Sequence, residues 1–222
     1  MGTASRRQGG NPWSQIPLDE YEAHMAMPSV GQAALLAEVL AEAVLDVAAR
    51  SVAVLGCAGG NGFERLLGTG VERVVGIDIN AGYVERARER FSSSLPGLEC
   101  LVGDIEHDDF AFAPVDLVFA GLIFEYVDLH RALANVRTML ARGGSLVAVL
   151  QEPAAHHAAI TLTPYASLHL LDGFMHLVPE RAFLDAAAAA ALAPVARTVR
   201  RASGGKAFLV LAMKHSSAVE AL

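Results

Sequence analysis

The sequence has little cysteine, no long apolar run and no excess of basic residues. Two cysteines, Cys57 and Cys100, among 222 residues do not form the disulfide framework of a small secreted domain, so we expect a reducing compartment, the cytoplasm. No apolar run has the length of a membrane-spanning helix, and no apolar region of a signal peptide follows the first arginines, so we expect no membrane association.

Basic residues are outnumbered by acidic ones. The chain has 17 Lys and Arg against 24 Asp and Glu, which gives a formal net charge of −7. A protein that binds nucleic acid neutralises phosphates with a dense face of Lys and Arg. We therefore expect no nucleic-acid partner.

Hydrophobic residues make up 53% of the chain, which is ample for the core of one α/β domain. The apolar spacing predicts a helix after Pro28, and Ser29 and Gln32 have the spacing of a capping box at its start. The predicted organisation is a disordered tail at 1–12, an N-terminal cap and helical segment at 13–50, and a main domain at 51–215 with an insertion at 152–178.

Short apolar runs alternate with helical segments through the main domain. This alternation predicts an α/β fold whose mainly parallel sheet has helices on both faces. Three residues, Ser203–Gly205, separate the last two strands, which favours a hairpin with an antiparallel last strand. The predicted strands are Ser51–Leu55, Arg73–Ile77, Glu99–Val102, Asp116–Gly121, Ser145–Gln151, Val195–Ala202 and Lys206–Met213, and the predicted helices are Gly62–Leu67, Ala81–Ser94, Leu129–Ala141 (ended by Gly143 and Gly144) and Pro179–Leu192.

A glycine-rich loop follows the first predicted strand. Gly56, Gly59, Gly60 and Gly62 allow a sharp turn into a helical segment and let a ligand lie against the main chain. Unpaired amides at such a helix start suit a carboxylate or a phosphate. A tight turn without a ligand is the alternative interpretation.

Carboxylates stand at the ends of the next two predicted strands. Asp78 lies where an acidic group can accept hydrogen bonds from both hydroxyls of a ribose, and the alternative is that it caps the next helix, for which Asn80 is closer. Asp104 can accept a hydrogen bond from the exocyclic amine of adenine, or it is an ordinary turn residue. Together the two carboxylates indicate a nucleoside ligand.

The motifs GCAGGNG, GIDIN, VGDIE, VDLVFAGLIFEYVD and LARGGSLVAVL, with the terminal hairpin, resemble those of class I S-adenosylmethionine-dependent methyltransferases over about residues 50–215. The resemblance implies a Rossmann-like three-layer sandwich with a seven-stranded, mainly parallel sheet of order 3-2-1-4-5-7-6, S-adenosylmethionine as cofactor and S-adenosylhomocysteine as product. The cofactor-binding residues that it implies are Gly56, Cys57, Ala58, Gly60, Asn61, Asp78, Ile79, Asp104, Ile105, Ala120, Gly121 and Leu122.

Two residues depart from the family pattern. Val54 stands where an acidic residue commonly precedes the loop, and Ala58 replaces the usual middle glycine. These departures bear on how the amino-acid end of the cofactor is oriented. Asn61 or a residue of the N-terminal segment is the expected substitute for the missing acid.

Methyl transfer is an in-line displacement that depends mainly on holding donor and nucleophile together and excluding water. We expect a small-molecule acceptor with an O, N, C or S nucleophile and a substrate lid at 152–178. For each histidine, a packed or surface imidazole is the alternative, and no metal site is expected. The candidate catalytic residues are Tyr126, His130, His156 and His169, and the candidate substrate residues are Tyr21, His24, Tyr165 and His176.

Two other functions remain open from the sequence. A nicotinamide-dependent oxidoreductase also has a glycine turn before an acidic strand end, but its G-x-G-x-x-G is not met, because Phe63-Glu64-Arg65 follows Gly62. A catalytically silent, methyltransferase-like binding module is the non-enzymatic alternative. The chain is expected to be a monomer or a homodimer.

Overall fold

The computed structural model of the protein describes residues 10–95, 97–154 and 158–215. It confirms the α/β, Rossmann-like three-layer sandwich, with one seven-stranded sheet of order β3-β2-β1-β4-β5-β7-β6. The strands are β1 (Ser51–Leu55), β2 (Arg73–Asp78), β3 (Leu98–Val102), β4 (Val115–Gly121), β5 (Leu140–Gln151), β6 (Leu192–Arg201) and β7 (Ala207–His215).

The sheet is covered by helices on both faces. Alternate side chains of the central strands pack in two separate core clusters, one against α2 and α3 and the other against α4 and α5. No helix within the described ranges is long and apolar enough to cross a membrane. The helices are α1 (Leu18–Ala26), α2 (Gln32–Asp46), α3 (Ala81–Phe91), α4 (Leu129–Met139) and α5 (Glu180–Ala189).

Strands β1 to β5 run parallel, so their carboxyl ends meet at one edge of the sheet. As predicted, β7 is antiparallel. It lies between β5 and β6, with Val149 of β5 opposite Val210 of β7. The loops after β1, β2, β3 and β4 therefore border a common crevice.

The start of α2 differs from the predicted capping box. Its N-cap is Gly31, in the left-handed conformation with φ 63°, and no side chain caps the helix. Gln32 is the first helical residue and is 7% exposed, so its side chain is directed into the protein. Gln32 is therefore a buried residue and not the second member of a capping box with Ser29.

Two local predictions are also corrected. The helix expected at Gly62–Leu67 is a short 3-10 turn, Phe63–Leu66. Helix α4 ends at Met139, and β5 begins at once, so Gly143 and Gly144 lie within an irregular first part of this strand and do not stop the helix. Of the predicted tail, only residues 10–12 are described, and there Asn11 caps a 3-10 helix, Pro12–Gln15.

The β6–β7 hairpin packs against the turn that precedes α2. The Ser203 hydroxyl donates a hydrogen bond to the Pro28 carbonyl at 2.9 Å. A Cβ on Gly204 would lie 2.0 Å from the Ser29 carbonyl oxygen, so the two backbones meet without room for a side chain. This contact fixes the C-terminal hairpin on the N-terminal segment.

Candidate functional site

A cleft opens at the carboxyl ends of the parallel strands, and we call it the strand-end cleft. Its floor consists of loop residues that follow β1, β2, β3 and β4, and its roof comes from the N-terminal segment. It is lined by Asn11, Trp13, Tyr21, Met25, Gln32, Gly56, Ala58, Ile77, Asp78, Ile79, Tyr83, Gly103, Asp104, Ile105, Gly121, Leu122, Ile123, Tyr126 and Val127.

Asp78 is the buried carboxylate of this cleft. One carboxylate oxygen accepts a hydrogen bond from the Ala58 amide at 2.9 Å, and the other accepts one from the Asn80 amide at 2.9 Å. Burial raises the pKa of Asp78 to about 6, although backbone hydrogen bonds oppose the shift. Asn80, not Asp78, caps α3, since its side chain accepts from Gly82 and Tyr83.

The glycine loop brings its main chain to the cleft. Gly56 has φ 65° and Ala58 has φ 47°, so Ala58 holds a left-handed conformation that glycine adopts more easily. Gly60 faces away from the cleft, and a Cβ there would lie 2.6 Å from the Phe91 ring. Of the twelve residues predicted to bind the cofactor, four do not line the cleft: Cys57, Gly60, Asn61 and Ala120.

Val54 belongs to the core cluster that packs against α2 and is 4% exposed. It therefore contributes no polar group to the cleft. Asn61 does not line the cleft either, whereas Gln32 of the N-terminal segment does. Of the two predicted substitutes for the missing acid, the structure brings only the N-terminal segment to this place.

Asp104 lines the cleft and also shapes its own turn. Its carboxylate accepts a hydrogen bond from the Glu106 amide at 2.8 Å and lies 3.0 Å from the His107 ring nitrogen Nδ1. Its backbone amide donates to Asp108 at 2.8 Å. Asp104 therefore stabilises its own turn and also lines the cleft.

The N-terminal segment is pinned over the cleft by α3. The Asn80 side-chain amide donates to the Trp13 carbonyl at 2.9 Å, and the Tyr83 hydroxyl donates to the Ile16 carbonyl at 2.9 Å. Arg90 forms an ion pair with Glu22 and also donates to the Gly59 carbonyl at 3.1 Å. The glycine loop and the N-terminal cap are therefore held by the same helix.

Aromatic rings form the roof of the cleft. The Trp13 ring meets Tyr21 and Tyr126 edge to face, at 5.5 Å and 5.1 Å between centroids. The Trp13 indole nitrogen Nε1 is buried and has no hydrogen-bond partner among the described residues. Burial raises the pKa of Tyr21 and of Tyr126, so both phenols are protonated at neutral pH.

A second cavity, which we call the lid cavity, continues from the cleft beneath the insertion. The two share Trp13, Tyr21, Met25, Gln32, Leu122 and Tyr126. Leu122, at their junction, has φ 57°, an uncommon conformation for a leucine that is often found at functional positions. The lid cavity is further lined by His24, Gln151, Ala159, Ile160, Thr161, Leu168, Leu171, Met175 and Lys206.

Besides Tyr21 and Tyr126, three described titratable groups lie at or behind the lid cavity. Burial, and then the charge of Lys206, lower the pKa of His24, whose Nδ1 lies 3.0 Å from the Thr163 hydroxyl. Burial lowers the pKa of Lys206 to about 8. Burial raises the pKa of Glu125 to about 7; its Oε1 accepts from the Gln151 amide at 2.8 Å, and its Oε2 has no partner among the described residues.

The predicted catalytic and substrate residues separate into two groups. Tyr21, His24 and Tyr126 come together at the lid cavity. His130 and His169 are exposed and line neither cavity, and their catalytic role stays a prediction. Each of these histidines lies on the solvent side of its helix. His130 is on the outer side of α4, and His169 pairs with Asp172 at the surface.

Tyr165 and His176 do not line the strand-end cleft or the lid cavity. Tyr165 packs in a satellite cluster with Ile16, and His176 is held through its backbone amide, which donates to the Glu125 carbonyl at 2.8 Å. The substrate role of both residues stays a prediction. His156 lies outside the described residues.

Several lining residues were not predicted as site residues. Tyr83 stacks on Tyr21 at 6.0 Å and lines the strand-end cleft. Gln32 lines both cavities, and Lys206 lines the lid cavity. No signal in the sequence pointed to Lys206, because lysine is rarely buried and a lone lysine after a loop is expected to be exposed.

The chain is similar to known methyltransferases in sequence and in fold. Residues 53–148 match the family model described as a methyltransferase domain. Trans-aconitate 2-methyltransferase from Rhodopseudomonas palustris (strain BisB18) is 37% identical over 97 residues, covering 42% of this chain and 34% of that one. The enzyme of that name from Azoarcus sp. (strain BH72) is 34% identical over 113 residues, covering 50% of this chain and 42% of that one. The matched region spans less than half of each relative.

Solved structures with the same fold cover most of the chain. The N-methyltransferase NodS from Bradyrhizobium japonicum WM9, in complex with S-adenosylhomocysteine, has a TM-score of 0.61 at 20% identity and covers 95% of this chain and 94% of that one. An O-methyltransferase family protein from Burkholderia thailandensis has a TM-score of 0.65 at 18% identity, with 90% and 60% covered. Since the two are named for different acceptor atoms, the shared fold does not specify the atom that is methylated.

Proposed function

We propose that the protein is a class I S-adenosylmethionine-dependent methyltransferase that transfers a methyl group to a small molecule bound in the lid cavity. The match of residues 53–148 to a methyltransferase domain and the shared fold support this proposal. One observation carries the proposal: the strand-end cleft and the lid cavity meet at six shared residues. A donor in the first and an acceptor in the second would therefore be neighbours.

The residues of the strand-end cleft fit the donor. Asp78 offers a buried carboxylate for the ribose hydroxyls, and Asp104 with Ile105 borders the place for adenine. Gly56 and Ala58 present main chain for the methionine part, and Leu122 stands on the side of the lid cavity. When bound, the cofactor supplies a methyl group on a positively charged sulfur.

The roof residues exclude water and set the approach of the acceptor. The junction of the two cavities is covered by the rings of Trp13, Tyr21 and Tyr126. The phenols of the two tyrosines stay protonated. The contribution of the three rings is to close the site and hold two reactants in line, which is the main requirement of this reaction. Tyr126 can donate a hydrogen bond there but cannot accept a proton.

His24 is the candidate proton acceptor. It is 5% exposed, lines the lid cavity, and its lowered pKa keeps the imidazole neutral at pH 7. A general base is needed only for an acceptor that must lose a proton to become nucleophilic. For such an acceptor His24 would take the proton, with Thr163 orienting its ring.

The shape of the lid cavity supports a small acceptor. The insertion contributes a short 3-10 helix, Ala166–Leu171, whose Leu168 and Leu171 pack with Ile16 beneath the N-terminal cap. Its Ser167 hydroxyl donates to Glu20 of α1 at 2.6 Å. The insertion and the N-terminal segment therefore contact each other above the lid cavity. Such a covered cavity suits a small enclosed ligand better than a polymer such as a nucleic acid.

Calorimetry with S-adenosylmethionine, S-adenosylhomocysteine and NAD tests the donor assignment. We expect the first two to bind and NAD not to bind; tight binding of NAD alone would favour the oxidoreductase alternative. Binding of Asp78→Asn should be about 10- to 100-fold weaker, because hydrogen bonds to a charged group contribute about 1.5–3 kcal/mol. Asp109→Asn, at an exposed position after β3, is the matched control.

Turnover is tested with donor labelled in the methyl group and extracts of small metabolites. We expect label in a small product, and about 10- to 100-fold slower labelling with Asp78→Asn at the same subsaturating donor concentration. Donor binding without transfer to any fraction would instead identify a catalytically silent binding module.

A further inference from the structure

Lys206 is a buried cation in the wall of the lid cavity. It directly precedes β7 and is 3% exposed. Its ammonium group donates to the Ala159 carbonyl at 2.7 Å and lies 3.4 Å from the Gln151 side-chain oxygen. Both partners are neutral, so they supply hydrogen bonds but do not balance the positive charge of Lys206.

No carboxylate pairs with Lys206 in the described part of the chain. Glu125 is linked to Lys206 through Gln151: the Glu125 carboxylate accepts a hydrogen bond from the Gln151 backbone amide. Burial raises the pKa of Glu125 to about 7. The other titratable groups that line the cavity are His24, which is neutral, and the protonated phenols of Tyr21 and Tyr126. The cavity therefore carries a positive charge that its walls do not balance.

An unpaired charge held away from water is costly, by several kcal/mol in ordinary protein interiors. With a pKa of about 8, the amine is still mostly protonated at pH 7. A ligand anion would balance this charge, whereas a ligand cation would be repelled by it.

We propose that Lys206 binds a carboxylate of the methyl acceptor, so that the acceptors are small organic acids. This inference rests on the proposed function, because it places the acceptor in the lid cavity. A single lysine matches a single carboxylate better than a doubly charged phosphate. The remaining walls, which include Leu168, Leu171 and Met175, contact the apolar part of such an acid.

The hairpin delivers Lys206 to this place. Ser203 and Gly204 are packed on the turn before α2, and the Lys206 carbonyl accepts a hydrogen bond from the Ala202 amide at 3.0 Å. Gln151 is held by two contacts of its own, with Glu125 and Ala159. The ammonium group is thus set in a rigid frame, as recognition of a fixed ligand requires.

The chain contains a matched control, since it has only two lysines. Lys214 lies on β7 and is exposed, whereas Lys206 is buried. Lys206→Met keeps the volume of the side chain and removes its charge, and Lys206→Arg keeps the charge. Lys214→Met changes the net charge of the protein equally without touching the cavity.

The test measures binding of a panel of small carboxylates, from trans-aconitate to phenylacetate, and of their amides to protein saturated with S-adenosylhomocysteine. We expect at least one acid to bind about 10-fold or more tightly than its amide, and Lys206→Met to remove about 10- to 100-fold of that affinity. Lys206→Arg should retain most of it, and Lys214→Met all of it.

Two results would overturn the inference: no acid binding better than its amide in the wild-type protein, or equal losses for acid and amide in Lys206→Met. The second would make Lys206 a support for the Ala159 loop only. Calorimetry with S-adenosylhomocysteine on the same samples separates these results from failure of the proposed function, which would abolish donor binding in the wild-type protein. The wild-type comparison of acid and amide decides the question even if Lys206→Met does not fold.

Discussion

Replacing Asp78 by asparagine should change how the stability of the ligand-free protein depends on pH. The Asp78 side chain is 8% exposed and accepts two backbone hydrogen bonds, from Ala58 and Asn80. Burial nevertheless raises its pKa from the ordinary 3.8 to about 6. The ionised carboxylate is therefore less stable in the folded protein than in the unfolded chain.

The sign of the effect follows from that direction. Between the unfolded and folded pKa values the folded protein binds more protons, so stability is gained as the pH falls through about 6 and is lost as the pH rises through it. The full difference corresponds to about 3 kcal/mol at 1.36 kcal/mol for each pKa unit. Between pH 7.5 and pH 4.5, about 2 kcal/mol of this would be recovered.

Asparagine cannot ionise, so Asp78→Asn loses this pH dependence. Its amide group must also face one of the two backbone donors, which costs about 1–3 kcal/mol at all pH values because one buried N–H loses its acceptor. This pH-independent cost cancels when the two pH values are compared. Relative to the wild type, the variant should therefore be about 2 kcal/mol less stable at pH 4.5 than at pH 7.5.

Urea denaturation of the two ligand-free proteins across this pH range measures the difference directly. Comparing variant with wild type removes the contribution of other shifted groups, including Glu125, whose pKa is raised to about 7. Asp109→Asn, which changes an exposed carboxylate, should show no comparable trend. A stability difference between Asp78→Asn and wild type that does not change with pH would refute the reasoning.

Four further outcomes are expected. Ala58→Gly should raise the free energy of unfolding by about 0.5–1 kcal/mol in urea denaturation, since φ 47° is strained for alanine, and a lower value would contradict that strain. Gly204→Ala should lower it by about 1–3 kcal/mol or more, because the new Cβ would lie 2.0 Å from a carbonyl oxygen, and an unchanged melting temperature would show that the hairpin can move. Trp13→Phe should leave stability within about 1 kcal/mol but weaken ligand binding if Nε1 donates to a ligand, which calorimetry decides. The KM of a carboxylate acceptor should rise as the pH passes about 8, where Lys206 loses its charge, and a flat profile for the wild type would speak against that charge.

The strand ends were predictable from the sequence because their placement is local. A carboxylate that directly follows a buried parallel strand must lie at the carboxyl edge of the sheet, as Asp78 and Asp104 do. The strand order was implied by the family resemblance, and the antiparallel last strand was favoured by the short connection Ser203–Gly205; both are confirmed. Glycine content alone was less informative, because Gly60 serves packing against Phe91 and not the cleft.

The lid cavity was less predictable because distant segments form it. His24, Gln151 and Lys206 come from the N-terminal cap, the end of β5 and the hairpin, and no spacing in the sequence encodes their meeting. Chemical type alone favoured the histidines of the insertion, but the surface position of His169 removes it from the cavity. Gln32 was missed for a different reason: its spacing from Ser29 indicated a helix cap, whereas its side chain is buried and lines both cavities.

The position of β7 between β5 and β6 has a consequence for synthesis of the chain. A ribosome releases β1 to β4 first, so the floor of the strand-end cleft can assemble while the nascent chain is still growing. Strand β5 then waits with one open edge until Ala207–His215 emerges and pairs with it. Lys206 and the hairpin that seats on the N-terminal turn arrive in the same last step. A nascent protein can therefore complete the floor of the strand-end cleft before Lys206 reaches the wall of the lid cavity.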